Sequence, residues 1–284
     1  MKIAIASGKG GTGKTTVATN LAKTVSSRGR SAAYIDCDVE EPNGHVFLKP
    51  SIEETRLVHR QIPEVEADRC TSCGQCAKIC QYSAIVCLGG KPLVFPELCH
   101  GCAGCWLVCE AGAISPGNRE IGQLAIGRSD GVAFVHGVLN VGEAMSPPLI
   151  RQVKQAGPSA EVVIFDAPPG TSCPVIETIR DADFAVLVTE PTPFGLWDLK
   201  LAVEMVRALE RPFGVVINRS DSGDAQTSVY CAAEGIEVLA EIPDDRRIAE
   251  AYSRGEMVCD ALPEYRRLYE GLLDRLEERT VGRG

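Results

Sequence analysis

The chain has 284 residues, 45% hydrophobic and 24% charged, enough to bury an ordinary core as one large α/β domain or as one domain carrying a smaller module. A formal charge of −9 with no basic stripe argues against a nucleic-acid partner, because neutralising phosphates takes clustered Lys and Arg. No apolar run is long enough for a membrane span and no leader with a cleavage site opens the chain, so a cytoplasmic location is expected. Thirteen cysteines are many for that compartment, and eight of them fall in two equally spaced runs between residues 70 and 109.

Lys2 to Ala6 reads as a short buried strand, and a helix is expected over Lys14 to Ser27. Between them Gly8-Lys9-Gly10-Gly11-Thr12-Gly13-Lys14-Thr15 fits G-x-x-x-x-G-K-[ST] in the strand-to-helix setting that this phosphate-binding motif demands. Backbone N–H groups from Gly8 to Thr16 are expected to converge on the phosphates of ATP or ADP, with the helix N-terminus adding its dipole. Lys14 should bridge the β- and γ-phosphates, and the Thr15 hydroxyl should face Mg²⁺. A second strand, Ser31 to Asp36, ends in the acidic turn Asp36-Cys37-Asp38. Asp38 and Asp166 are either catalytic carboxylates or caps of the elements that follow them.

Between residues 61 and 117 Cys, Gly and Pro dominate and long helical periodicity is lost. Cys70-Thr-Ser-Cys-Gly-Gln-Cys-Ala-Lys-Ile-Cys80 recurs 29 residues later as Cys99-His-Gly-Cys-Ala-Gly-Cys-Trp-Leu-Val-Cys109, and each copy continues to an Ala-Ile pair. Each spells C-x2-C-x2-C-x3-C, the bacterial ferredoxin spacing, in which three thiolates hold one cluster and the fourth ligates the other. Two [4Fe–4S] clusters are therefore expected, one on Cys70, Cys73, Cys76 and Cys109, the other on Cys99, Cys102, Cys105 and Cys80. A zinc module is the alternative, but zinc needs no third closely spaced cysteine, so the duplicated four-cysteine run favours clusters. The proline that usually follows the fourth cysteine is Gln81 in one copy and Glu110 in the other. Cys87 reads as a packed thiol, and Cys37, Cys173, Cys231 and Cys259 as isolated small hydrophobes.

Apolar runs resume at Val162 to Phe165, Ala185 to Thr189, Phe213 to Ile217 and Ile236 to Ile242, separated by helical stretches such as Leu196 to Leu209. Strands alternating with helices predict a mostly parallel α/β sheet built from residues 1–60 and 118–284, with a small α+β ferredoxin-like module, 61–117, inserted. The C-terminal stretch Glu264 to Arg279 aligns Leu268, Leu272 and Leu276 on one helical face, expected to pack on its own domain or a dimer partner.

Lys9, the second lysine of the glycine loop, gives Lys-Gly-Gly-Thr-Gly-Lys-Thr-Thr, which resembles the deviant Walker A of the MinD, ParA and nitrogenase iron protein class of P-loop ATPases. Asp36-Cys-Asp38 with Pro42-Asn43 looks like the first switch of that class, and Phe165-Asp166-Ala-Pro-Pro-Gly170-Thr like its second. The resemblance implies a nucleotide-dependent homodimer in which Lys9 reaches the partner's nucleotide. It also implies that Asp38 orients or activates the attacking water, Asp166 holds Mg²⁺ through water, Gly170 senses the γ-phosphate and Asn218 contacts adenine. With the cluster module, the whole resembles MinD-superfamily ATPases carrying a ferredoxin insertion. Its use of ATP is expected to be electron transfer to a redox partner. Delivery of a cluster to an acceptor protein, as in Mrp-type carriers, is the alternative, although their C-terminal C-x-x-C is missing here. A nucleotide-switched docking protein with structural clusters is a third.

Overall fold

The computed structural model describes residues 1–281, and the first strand sets its plan. β1 (Lys2–Ala6) is buried throughout after Lys2, as a strand covered on both faces must be. The chain continues through α1 (Lys14–Ser27), β2 (Ala32–Asp36), the short α2 (Gly44–Leu48) and the 15-residue β3 (Ser51–Val65). Next come α3 (Gln75–Ile79), an antiparallel hairpin of β4 (Ile85–Leu88) and β5 (Lys91–Val94), and α4 (Gly104–Leu107). A second long strand, β6 (Ile114–Ser129), turns into β7 (Val132–Leu139) through Asp130-Gly131, whose φ angles of 45° and 80° suit a two-residue hairpin turn.

From there helices and strands alternate: α5 (Pro147–Ala156), β8 (Val162–Asp166), α6 (Cys173–Ile179), β9 (Phe184–Thr189), α7 (Pro193–Ala208) and β10 (Phe213–Asn218). α8 (Gln226–Ala233), β11 (Val238–Ile242), α9 (Arg246–Ser253), α10 (Val258–Ala261) and α11 (Arg266–Val281) complete the chain. The sheet order is β11-β10-β9-β1-β8-β2-β7-β6-β3, and every neighbouring pair from β11 to β7 is parallel. The mostly parallel α/β sheet expected from the sequence is present. Its central strands end together, so β1, β2 and β8 deliver their C-terminal residues to one place, where open parallel sheets bind ligands.

The chain forms two compact units. The first comprises Met1–Thr55, Leu124–Val138 and Ile150–Gly284. Its core packs β1, β2 and β8 residues such as Ile3, Ile5, Tyr34 and Ile164 with Val17 and Leu21 of α1 and with Tyr269, Leu272, Leu273 and Leu276 of α11. The leucine face of α11 is therefore covered by its own unit. No described helix is long and apolar enough to cross a membrane.

The second unit comprises Arg56–Gln123 and Leu139–Leu149, wider than the 61–117 segment read from composition. The extra segment after β7 is held by Glu143, whose two oxygens meet Arg60 at 3.1 Å and Arg119 at 3.2 Å. One cluster in this unit packs Cys76, Ile85 and Ile114, flanked by Val65, Val94 and Trp106. Val58, Ile121 and Leu149 are buried as well.

Candidate functional site

The phosphate loop leaves β1 at Ser7 and opens α1 at Lys14. Gly8 has no room for a side chain, because a Cβ there would lie 2.2 Å from the Asp198 carbonyl oxygen. Gly11 and Gly13 have φ of 78° and 94°, the left-handed region that lets successive N–H groups face inward. A cavity of about 350 Å³ opens beside them, lined by Gly10, Gly11, Gly13, Lys14, Thr15, Thr16, Asp38 and Asn218 of the predicted set. Its far wall is Ile242 to Asp245, Ile248 and Tyr252. Lys14 and Thr12 are buried. Gly170 docks its N–H on the Ser7 carbonyl at 3.0 Å, tying the segment after β8 to the start of the loop.

Asp36 and Asp166 stand in register on β2 and β8, both fully buried. The Tyr34 hydroxyl donates to Asp166 Oδ2 at 2.7 Å, and burial beside these carboxylates holds its pKa well above the usual phenol value, so it acts as a donor. Asp36 accepts from the N–H of Asp38 at 3.1 Å and of Gly44 at 3.0 Å. Burial raises the pKa of both aspartates, for Asp166 against the hydrogen bond from Tyr34, the charge of Lys14 and the hydroxyl of Thr15. Asp38 is pushed up to about 6, chiefly by burial and against Lys14. Asp166 Oδ1 is buried with no hydrogen-bond partner and the Thr15 hydroxyl lies beside the same carboxylate, an oxygen donor set that fits hydrated Mg²⁺.

Two predicted residues are engaged within the chain. Lys9 Nζ lies 3.4 Å from Glu190, a buried carboxylate that also meets Arg219 at 2.9 Å. The Asn218 amide donates to the Thr12 carbonyl at 2.9 Å and its Oδ1 accepts from Arg219 N at 3.1 Å, so it braces the phosphate loop while lining the cavity.

In the second unit the structure brings the eight cysteines together as two sets of four that cross the runs. Cys70, Cys73, Cys76 and Cys109 line one cavity, joined by Cys87. Cys80, Cys99, Cys102 and Cys105 line the other. Each copy repeats its local bonds: Ala84 N donates to Cys80 Sγ and Ala113 N to Cys109 Sγ, both at 3.3 Å. α3 and α4 each start behind a left-handed residue, Gly74 and Ala103. Among the described residues no three Cys, His, Asp or Glu side chains converge on a point where one metal ion would bind. Each set of four soft donors, with N–H groups aimed at sulfur, has the donor chemistry of an iron–sulfur site.

A family profile described as the CobQ/CobB/MinD/ParA nucleotide binding domain matches residues 3–258. The chain belongs to this family of P-loop ATPases. It is 32% identical to an uncharacterised protein of Methanocaldococcus jannaschii over 98% of this chain and 97% of that one. An iron-sulfur cluster carrier protein of Pyrococcus horikoshii is 26% identical over 98% of this chain and 87% of its own length. Among solved structures, the septum site-determining protein MinD with Mg-ADP from Pyrococcus horikoshii superposes with a TM-score of 0.60 at 19% identity, covering 98% and 96% of the two chains. That likeness concerns the fold.

As a member of the MinD/ParA-type P-loop ATPase family the protein is an ATP hydrolase. Two features of this ATPase site have little trace in the sequence. Tyr34 is marked only as a hydroxyl in an otherwise apolar strand. Glu190 lies 181 residues from Lys9, and no local pattern joins them.

Proposed function

We propose that this ATPase couples MgATP turnover to one-electron transfer through two [4Fe–4S] clusters held by a ferredoxin-like insertion, residues 61–117. The observation that carries the proposal is the crossed grouping of eight cysteines about two cavities. Bound clusters would each take up and release a single electron. Lys14 would hold the β- and γ-phosphates, and Thr15 and Asp166 would hold Mg²⁺, the aspartate through a water. Asp38, with its pKa raised to about 6, is largely ionised at pH 7 yet basic enough to orient the attacking water and draw on its proton. Gly170 follows the γ-phosphate.

Lys9 leaves Glu190 to engage the nucleotide of a second copy, so ATP favours a homodimer. The first switch leads through α2 into β3, and the chain enters the second unit at Arg56. That continuity offers a path from nucleotide to cluster. The electron acceptor is a redox protein. Cluster delivery is the second reading, supported by relatives named iron-sulfur cluster carrier proteins. Against it, Cys231 and Cys259 are buried separately, and no surface C-x-x-C follows the second unit.

The test is the cluster potential measured without nucleotide, with ADP and with a nonhydrolysable ATP analogue. A coupling of about 1–3 kcal/mol, typical of linked sites, corresponds to about 40–130 mV for one electron. Such a shift, abolished in Lys14→Ala, is expected. Potentials identical in all nucleotide states, with cluster transfer to an apoprotein on ATP addition, would replace electron transfer by delivery.

A further inference from the structure

The two cysteine cavities sit in unlike surroundings. Beside the second, Gly101 separates Cys99 from Cys102, and a Cβ placed on it would lie 3.4 Å from Cγ of Arg60. The Arg60 side chain is only 3% exposed. Its Nη2 reaches the Pro96 carbonyl at 3.0 Å, three residues before Cys99, and Glu143 at 3.1 Å. Nε and Nη1 are buried with no hydrogen-bond partner, an expensive arrangement for a charged group unless something nearby gains from the charge.

We infer that Arg60 makes the cavity of Cys80, Cys99, Cys102 and Cys105 the preferred seat of the electron. The inference rests on the cluster reading above. A reduced cluster carries one more negative charge than an oxidised one, so a buried guanidinium held on the Pro96 carbonyl, three residues before Cys99, favours reduction. Glu143 offsets part of that charge, and Arg119 on its other oxygen offsets Glu143 in turn. Two cations against one buried carboxylate leave the set net positive; Glu97, bound to Arg119, is 57% exposed and screened by water. The arginine nearest the first cavity, Arg69, is 56% exposed and tied to an equally exposed Glu66. Its charge is spent largely on solvent.

Donors to a ligand sulfur also stabilise added negative charge, and the two sites differ in theirs: in the first cavity Cys76 is hydrogen-bonded with Cys87. Beyond the pair of bonds that both copies share, Gly101 N donates to Cys99 Sγ at 3.4 Å. Ser72 occupies the equivalent place in the first copy, and among the described residues its N–H makes no such bond to Cys70. An electron supplied by a low-potential one-electron donor protein to the first site thus passes to the second. One electron leaves the first site and one arrives at the second, with no bond made and no proton required.

The test is a dithionite redox titration of the anaerobically reconstituted full chain, followed by electron paramagnetic resonance. Two centres of unequal midpoint are expected. Arg60→Gln should lower the higher midpoint by a tenfold change in the reduced-to-oxidised ratio, about 59 mV for one electron, and leave the lower one in place. Arg60→Lys should restore most of it. Glu143→Gln should raise the same midpoint, a sign that loosened folding would not produce. In Cys102→Ala the surviving centre should be the lower one, and adding Arg60→Gln should not move it. Equal midpoints in the wild type, or a shift confined to the centre that survives in Cys102→Ala, would overturn this inference alone. Absence of clusters from the wild type would instead overturn the proposed function.

Discussion

Replacing Tyr34 by Phe removes one oxygen atom from the buried contact between β2 and β8 and leaves the ring in place. The Tyr34 hydroxyl donates to Asp166 Oδ2 at 2.7 Å, and Asp166 Oδ1 has no partner, so the variant strips a buried carboxylate of its best defined donor. A hydrogen bond to a charged group contributes about 1.5–3 kcal/mol, equivalent to about ten- to hundredfold in an equilibrium constant. Burial already raises the pKa of Asp166, and losing the hydroxyl raises it further, so the ionised form proposed to hold Mg²⁺ becomes harder to reach. Half-saturation of ATPase activity by free Mg²⁺ should therefore rise about tenfold or more at pH 7, with part of the loss recovered at higher pH. Binding of a fluorescent nucleotide without Mg²⁺ should stay within twofold of wild type, because Lys14 and the glycine loop are untouched. An unchanged Mg²⁺ requirement would show that Tyr34 only fills space.

Asp38, with a pKa pushed up to about 6, should give the ATPase an acid limb with a midpoint near that pH, absent from the residual activity of Asp38→Asn. Between the ordinary carboxylate value and 6 the folded chain binds the Asp38 proton more tightly than the unfolded one, so nucleotide-free stability falls as pH rises through that window, and Asp38→Asn should flatten the fall in a melting series. Freeing Lys9 by Glu190→Gln should strengthen ATP-induced dimerisation in sedimentation, and Lys9→Ala should weaken it; unchanged association in both would mean that the 3.4 Å pair plays no part. Cys80→Ala should lower iron from about eight to about four per chain while Cys70 to Cys76 keep theirs, as measured by iron and sulfide analysis. Stoichiometric zinc in anaerobically prepared protein would count against the cluster assignment.

Much of this molecule is legible in short windows of sequence. β1 and α1 begin and end where the apolar pattern and the glycine loop place them, because Gly8 to Gly13 encode a backbone path that does not depend on distant residues. The cysteine runs are equally local, since thiolate spacing specifies a donor set before any fold is known. By contrast, β3 shows little buried alternation, with only Val58, Arg60 and Pro63 inside. Its membership of the sheet follows from pairing with β6, not from its own composition. Wherever one charge is answered by another far along the chain, the sequence is silent. Glu143 closes on Arg60 from 83 residues away, Glu190 on Lys9 from 181, and Asp166 meets Tyr34 only because parallel pairing sets β2 beside β8. Burial gives those pairs their strength, and burial is a property of the packed chain. The donor groups of the two sites were thus readable from residue types and spacing, while the tuning of each carboxylate and cation waited on the fold that removes water from around it.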